Sequence, residues 1–325
     1  MKLLTAVLPG LLLCAAIGAA ATAIDRFFGG SALLYALLVG MALHPFGGRA
    51  RLSQGVQFSS RTVLQLGVAL LGLRISVSEI LALGMTPVVI AVVTIPATIL
   101  FGLLLARMLG MTKSQGALTG GAVAICGASA AMAIAAVLPQ RKDSEQILIF
   151  TIVGVTALST AAMLLYPLLV ALLPMSDVEA GFFLGGTIHN VPQVVGAGFM
   201  ISDTAGDTAT FTKLLRVAML APAVLAISVL VARGGHASSG GAGIPGFLLA
   251  FVALVIANSL GWVPASIGGP LQTVSRACLV VAIAAIGIKA SFKGLVEPGW
   301  RPLLLLTLET LFLASIVLAG LHFLR

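Results

Sequence analysis

The sequence predicts an all-α polytopic membrane protein. About eleven hydrophobic segments form an inverted repeat around two broken or re-entrant helices that meet near the midplane. Three observations predict it. Of the 325 residues, 59% are hydrophobic and 9% are charged, at a mean hydropathy of +1.15, whereas a soluble domain carries about 25% charged residues. Apolar runs near the length of about 20 residues that a spanning helix needs follow one another along the whole chain. The chain also resembles itself in three successive segments.

The first run, 3–23, follows Lys2 and ends in alanines before Asp25, a pattern it shares with signal peptides. The many runs after it make an uncleaved first helix the better reading. "LLLC" (11–14) resembles a lipoprotein site, but a leucine immediately before Cys14 is wrong for one. Runs 31–46, 58–75 and 85–107 follow. The next, 115–138, is rich in small residues and holds Gly116, Gly120, Gly121 and Gly127. Run 146–173 leads to 180–201, where "GGTIHNVPQVVGAG" (185–198) places His189, Asn190, Pro192 and Gln193 at positions a membrane helix fills with leucine. Glycine and proline disfavour helix interiors, so 115–138 and 180–201 each read as two short arms around a non-helical centre. An arm of about 11 residues rises roughly 16 Å, about half the hydrocarbon thickness. Broken helices and re-entrant hairpins both fit that length. Runs 209–232, 244–262, 268–289 and 302–324 complete the set, and "RGGHASSGGAG" (233–243) reads as a flexible Gly/Ser linker. The chain is then a single transmembrane domain, 1–325, with repeat-like halves at about 31–173 and 180–325.

Charge helps to orient these segments. The net charge is +8, and the bases fall mostly between apolar runs, which points to cytoplasmic loops and not to nucleic acid. If 115–138 and 180–201 dip in and return, then Arg49, Arg51, Arg107, Lys113, Arg141, Lys142, Arg233, Lys289, Lys293 and Arg301 share one face. Asp177 and Glu179 land on the other. The positive-inside rule therefore favours re-entrance, or at least a broken helix. Cys14, Cys126 and Cys278 lie in apolar segments without metal-ligand spacing, so free thiols and no metal are expected. No cofactor is expected, and no P-loop is present.

"RTVLQLGVALLGLRIS" from Arg61 matches "RACLVVAIAAIGIKAS" from Arg276, pairing Gly72 with Gly287 and Arg74 with Lys289. "GMTP" (84–87) meets "GWRP" (299–302) at the same offset, and "LLYALLVGMAL" (33–43) meets "LLAFVALVIAN" (248–258). The two odd segments also match each other: "LTGGAVAICGASA" (118–130) aligns with "LGGTIHNVPQVV" (184–195). Inverted repeats with interrupted helices are the architecture of secondary transporters.

"AICGASA" (124–130), "GGTIHNVPQVVGAG" (185–198) and "KLLRVAMLAP" (213–222), in this order, resemble the YeiH-type family of bacterial inner-membrane proteins, also called sulfate exporters. The resemblance covers nearly the whole chain. It implies a multi-pass inner-membrane protein related in design to inverted-repeat antiporters and symporters, and sulfate or a small organosulfonate as substrate.

Several side chains compete for roles at the breaks. His189, Asn190 and Gln193 either line a binding site or tie helices together. Cys126, Gly127 and Ser129 face them. An arm starting near Gly127 would aim amide N–H groups and a positive dipole end at an anion, with Ser129 capping the arm or binding a ligand oxygen. Tight packing of small residues is the plainer alternative, and Cys126 alone is a small buried hydrophobe. Lys213 and Arg216, one turn apart, form a cationic pair suited to an anion. Arg61, Arg74, Arg276 and Lys289 lie near segment ends, where snorkelling is the default. Of these, Arg61 and Arg276 sit about four residues into their runs and are candidate anion ligands. Glu309, the one carboxylate at depth, either carries a proton or pairs with a base.

The leading expectation is a secondary transporter of a small anion working by alternating access, with proton coupling through His189 or Glu309. An intramembrane hydrolase using Ser129 or Cys126 with His189 as base is the alternative, and a passive anion channel is a third. Against the hydrolase, no "GxSxG" elbow is present, so no catalytic residue is assigned. The expected partners are the small anion and the lipid bilayer, without nucleic acid, and a homodimer is compatible with this reading.

Overall fold

A computed structural model describes residues 2–28, 31–44, 50–82, 84–139, 143–232, 246–289 and 300–323. These are helical nearly throughout, with no strand among the described residues. The helices are α1 (Lys2–Phe28), α2 (Ala32–Ala42), α3 (Ala50–Phe58), α4 (Leu64–Leu71), α5 (Val77–Ala82), α6 (Thr86–Met108), α7 (Lys113–Ala124) and α8 (Ala128–Val137). They continue as α9 (Ser144–Leu172), α10 (Asp177–Thr187), α11 (Val191–Ile201), α12 (Asp203–Ala218), α13 (Leu220–Ala232), α14 (Gly246–Ser259), α15 (Ala265–Lys289) and α16 (Trp300–Phe323). A π-helical turn, Ser59–Val63, joins α3 to α4.

Among the described residues, six stretches are long and apolar enough to cross a membrane: Ala6–Phe27, Thr86–Met108, Ser144–Leu172, Asp203–Leu230, Ser266–Lys289 and Trp300–Phe323. Shorter apolar helices accompany them. The chain is a polytopic membrane protein. The Gly/Ser linker 233–243 lies outside the described residues, as do Arg49, Arg141, Lys142, Arg233 and Lys293.

Contacts divide the chain into two compact units, each drawing segments from both sequence halves. The first comprises Met1–Gly84, Val195–Asp207 and Pro245–Ser291. Its helices approach backbone to backbone at glycines. A Cβ on Gly10 of α1 would overlap the Leu52 carbonyl of α3, and one on Gly55 would overlap the Val7 carbonyl. The polar stretch 50–58 ahead of the run 58–75 is therefore helical too, packed against α1 at this contact. Hydropathy marks what lipid accepts, not where a helix begins. Gly40 of α2 and Gly287 of α15 also face each other, somewhat less closely, and a Cβ on Gly72 would overlap the Phe251 carbonyl of α14. In a bilayer, where burying apolar groups gains little, such van der Waals contact between small residues holds helices together.

The second unit comprises Met85–Val194, Thr208–Ile244 and Phe292–Arg325, and of the two odd segments it holds the first whole and the second as far as Val194. Each opens with a capping box. Thr112 accepts from the Gln115 amide at 3.2 Å while Gln115 Oε1 accepts from the Thr112 amide at 2.8 Å. Ser176 and Glu179 repeat the arrangement at 3.3 and 2.8 Å. Each box satisfies two of the amide donors left over at a helix start. Beyond the first break, α8 doubles back along α7, so that Ile134 fills the space a Cβ on Gly121 would need. Gly116 and Gly120 use another face of α7 to meet Gly102, Leu103 and Ile99 on α6. Thr112, Gln115 and Leu118 from the start of this hairpin share one small cavity with Ala135, Leu138 and Pro139 from its end.

Candidate functional site at two helix breaks

The first break is short. Ala124 ends α7, and Gly127 then adopts φ +61° before α8 begins. That angle favours glycine because it crowds the Cβ of any other residue. Here a second constraint acts as well: a Cβ on Gly127 would overlap Asn190 Oδ1 from the other break. Gly127→Ala is expected to destabilise the protein by about 1–3 kcal/mol from the backbone angle alone, with the Asn190 overlap adding to it. The double variant Gly127→Ala/Asn190→Ala should recover the steric part, measured as the midpoint of thermal unfolding in detergent.

The second break spans residues 188–190. Ile188 is extended (φ −67°, ψ 133°) after α10, and α11 opens at Val191. Pro192 therefore sits in the first turn of α11, where its missing N–H costs nothing because first-turn amides have no intrahelical partner. It starts the second arm and does not interrupt a helix already under way.

Each break frees the last carbonyls of the arm before it, and two basic side chains of α12 take up both sets. Lys213 Nζ donates to Ile125 O at 2.6 Å and to Ile188 O at 2.9 Å. Arg216 reaches both arms with its two terminal nitrogens. Nη1 donates to Gly185 O at 3.2 Å and to Gly186 O; Nη2 donates to Val123 O at 3.5 Å and to Ala124 O. Both side chains are completely buried. The ion pairs among the described residues involve only Arg74, Arg276, Asp203 and Asp207, so neither buried cation has an acidic partner there. Cations at two helix C-termini oppose the negative ends of both macrodipoles. The pair proposed from sequence as anion ligands is thus hydrogen-bonded to backbone carbonyls.

The starts of α8 and α11 carry the polar side chains. Ala128 N donates to Asn190 Oδ1 at 3.4 Å, so the other break supplies the acceptor. Gly127 is the N-cap of α8, and Ser129 does not cap it. Asn190 N donates to Ser159 Oγ at 3.1 Å, and Gln193 Nε2 to Thr160 Oγ1 at 3.5 Å, both on α9. Gln193 Oε1 is buried without a partner. Thr310 on α16 gives its hydroxyl proton to Leu306 O at 2.8 Å, which leaves its oxygen to accept from His189 Nε2 at 3.0 Å. Cys126, Gly127, His189 and Gln193 are buried, Asn190 and Pro192 are half-buried, and Ser129 is exposed. The starts of α8 and α11 thus leave Ser129 exposed and Asn190 half-buried.

Glu309, the residue before Thr310, is completely buried. Its Oε1 accepts from Thr119 Oγ1 on α7 at 2.8 Å, its Oε2 has no partner, and it forms no ion pair among the described residues. The structure thus gathers Cys126, Gly127, Asn190, His189, Gln193, Lys213 and Arg216 about the breaks. Glu309 joins through its neighbour Thr310. Ser129 and His189 share no hydrogen bond, and His189 Nε2 is bonded to Thr310 instead. Arg61 and Arg276 belong to the other unit, where Arg61 is exposed and Arg276 donates to Asp203 at 3.1 Å. Arg74 binds the same aspartate at 2.9 Å and Asp207 at 2.8 Å. Sequence reasoning missed Thr119, Ser159, Thr160 and Thr310. Isolated hydroxyls in apolar helices carry no pattern that separates these partners from residues bonded only to their own helix.

The family model described as Conserved hypothetical protein 698 matches residues 9–306. A UPF0324 membrane protein of Chlorobaculum tepidum is 48% identical over 96% of this chain and 88% of its own. The UPF0324 membrane protein TauZ of Paracoccus denitrificans is 48% identical over 98% of this chain and 96% of its own. A third, from Rhizobium meliloti, is 47% identical over 97% and 93%. No solved structure matches the chain.

Proposed function

The chain belongs to the Conserved hypothetical protein 698 family, the UPF0324 membrane proteins, and from that premise we propose that it is a secondary transporter of a small anion. One observation carries the proposal: two fully buried cations, Lys213 and Arg216, stand where two broken helices meet, without an acid beside them among the described residues. Unmatched buried positive charge is costly unless something negative offsets it. The carbonyl dipoles offset part of it, and a bound anion would offset more.

On this reading the substrate meets the breaks at Ser129 and Asn190. Amide groups in the first turns of α8 and α11, with Ser129 and the Asn190 amide, offer donors to a solvated oxyanion, as helix N-termini commonly do. Gln193 and His189 stand behind them. A tetrahedral oxyanion such as sulfate, or the head of a small organosulfonate, suits this donor set. The eleven apolar segments then act as an inverted repeat in the bacterial inner membrane, with the breaks near its midplane and alternating access about them. Protons couple to transport through Glu309, a buried carboxyl whose neighbour Thr310 bonds His189 at the second break.

Reconstitution tests the proposal. Proteoliposomes loaded with labelled sulfate, phosphate, chloride and small organosulfonates should show saturable flux of one oxyanion class, faster under an imposed pH gradient. Asn190→Ala should reduce that flux at least about tenfold, the loss expected when a bound charge gives up one of its donors. Flux that rises linearly with concentration and ignores the gradient would make the protein a channel. Absence of flux for every anion, with native protein recovered from the vesicles, would end the transporter reading.

A further inference from the structure

Half-helix C-termini that meet at a break are a recurrent place for a coupling cation, since their freed carbonyls are oxygen ligands without partners. In this chain those carbonyls are not free. Ile125 O and Ile188 O converge on one nitrogen, Lys213 Nζ, while Val123 O, Ala124 O, Gly185 O and Gly186 O converge on the Arg216 guanidinium. Each cation thus bridges both breaks, as a metal ion would, yet each is covalently part of α12. A lysine ammonium is a compact point charge with three donors, so it matches a monovalent ion in charge and in its demand for oxygen. Among the described residues, its hydrogen bonds go to two backbone carbonyls.

We propose that Lys213 and Arg216 are resident cations that fill the place an alkali ion would take between the two carbonyl ends. The native protein then holds no alkali ion there, and its transport does not draw on a sodium gradient. Truncating Lys213 should uncover a site for a small monovalent cation made of Ile125 O and Ile188 O. The inference rests on the geometry of the breaks and does not depend on which anion is carried.

The test uses the full-length protein purified in detergent, with thermal unfolding read in choline, sodium, potassium and n-propylammonium chlorides at one ionic strength. Wild type should melt at the same temperature in all four. Lys213→Ala should melt lower in choline and recover by about 4 °C or more, saturably, in n-propylammonium, whose atoms replace those removed. Lys213→Met, which fills the slot without charge, should be destabilised and unmoved by any of the salts. If Lys213→Ala can be purified only in n-propylammonium, that result supports the proposal equally. It is overturned if wild type shows saturable stabilisation by sodium or potassium, if folded Lys213→Ala responds to no cation, or if Lys213→Met is as stable as wild type. Because the readout is melting, failure here is distinguishable from failure of the transport assay.

Discussion

Arg216→Ala should be among the most destabilising single substitutions in the chain, lowering stability by about 3–5 kcal/mol. The guanidinium serves four carbonyls on two different helix ends, and alanine would leave all four facing a dry interior. An unsatisfied buried polar group costs about 1–3 kcal/mol, and relaxation or water would recover part of the sum. The expected observation is loss of the monodisperse peak in detergent, or a thermal midpoint far below wild type. Arg216→Lys should fall between, because it keeps the charge but cannot fork toward both arms. If Arg216→Ala elutes and melts like wild type, the carbonyl ends need no cation. The resident-charge account of the breaks would then be wrong.

Glu309→Gln should remove the acceleration of flux by a pH gradient while leaving the protein folded. The groups found against this carboxyl on α6 and α7 are uncharged: Thr119 Oγ1 bonds it, and Oε1 fills the space a Cβ on Gly102 would need. A carboxylate buried without a base is far less stable than the protonated acid. Loss and gain of charge at this position would therefore drive a rearrangement, which glutamine cannot undergo. Glutamine keeps the size and can still accept from Thr119, so the thermal midpoint should move by no more than about 1–2 kcal/mol of stability allows. Gradient-driven flux should drop at least about tenfold, the size expected when one proton-carrying group is removed. Flux that keeps its full pH dependence in the variant would make Glu309 structural and leave His189 as the proton carrier.

Much of this protein is legible in its sequence. Lipid cannot hydrogen-bond a backbone, so apolar runs of sufficient length must be helical, and the described residues are helical nearly throughout, with six helices long and apolar enough to cross a membrane. The two exceptional segments were also visible, because glycines, a proline and amide side chains are out of place in a hydrocarbon-length helix. The first break lies within "CGAS", whereas the second lies at 188–190, ahead of the proline at which sequence places it. These are local constraints, written in adjacent residues.

What occupies the breaks was not local. Lys213 and Arg216 read as an anion-binding pair because sequence shows charge and spacing, not direction. Only the packed structure shows both side chains turned toward six carbonyls that come from helices far away in the chain. Pro192 looked like the cause of a break and proved to be the first turn of the next arm. Ser129 looked like a cap, while the acceptor at that helix start comes from Asn190, sixty-two residues on. A backbone group freed at depth must find a partner somewhere. Sequence therefore determines that partners exist, but which side chains serve depends on the distances that folding sets between helices.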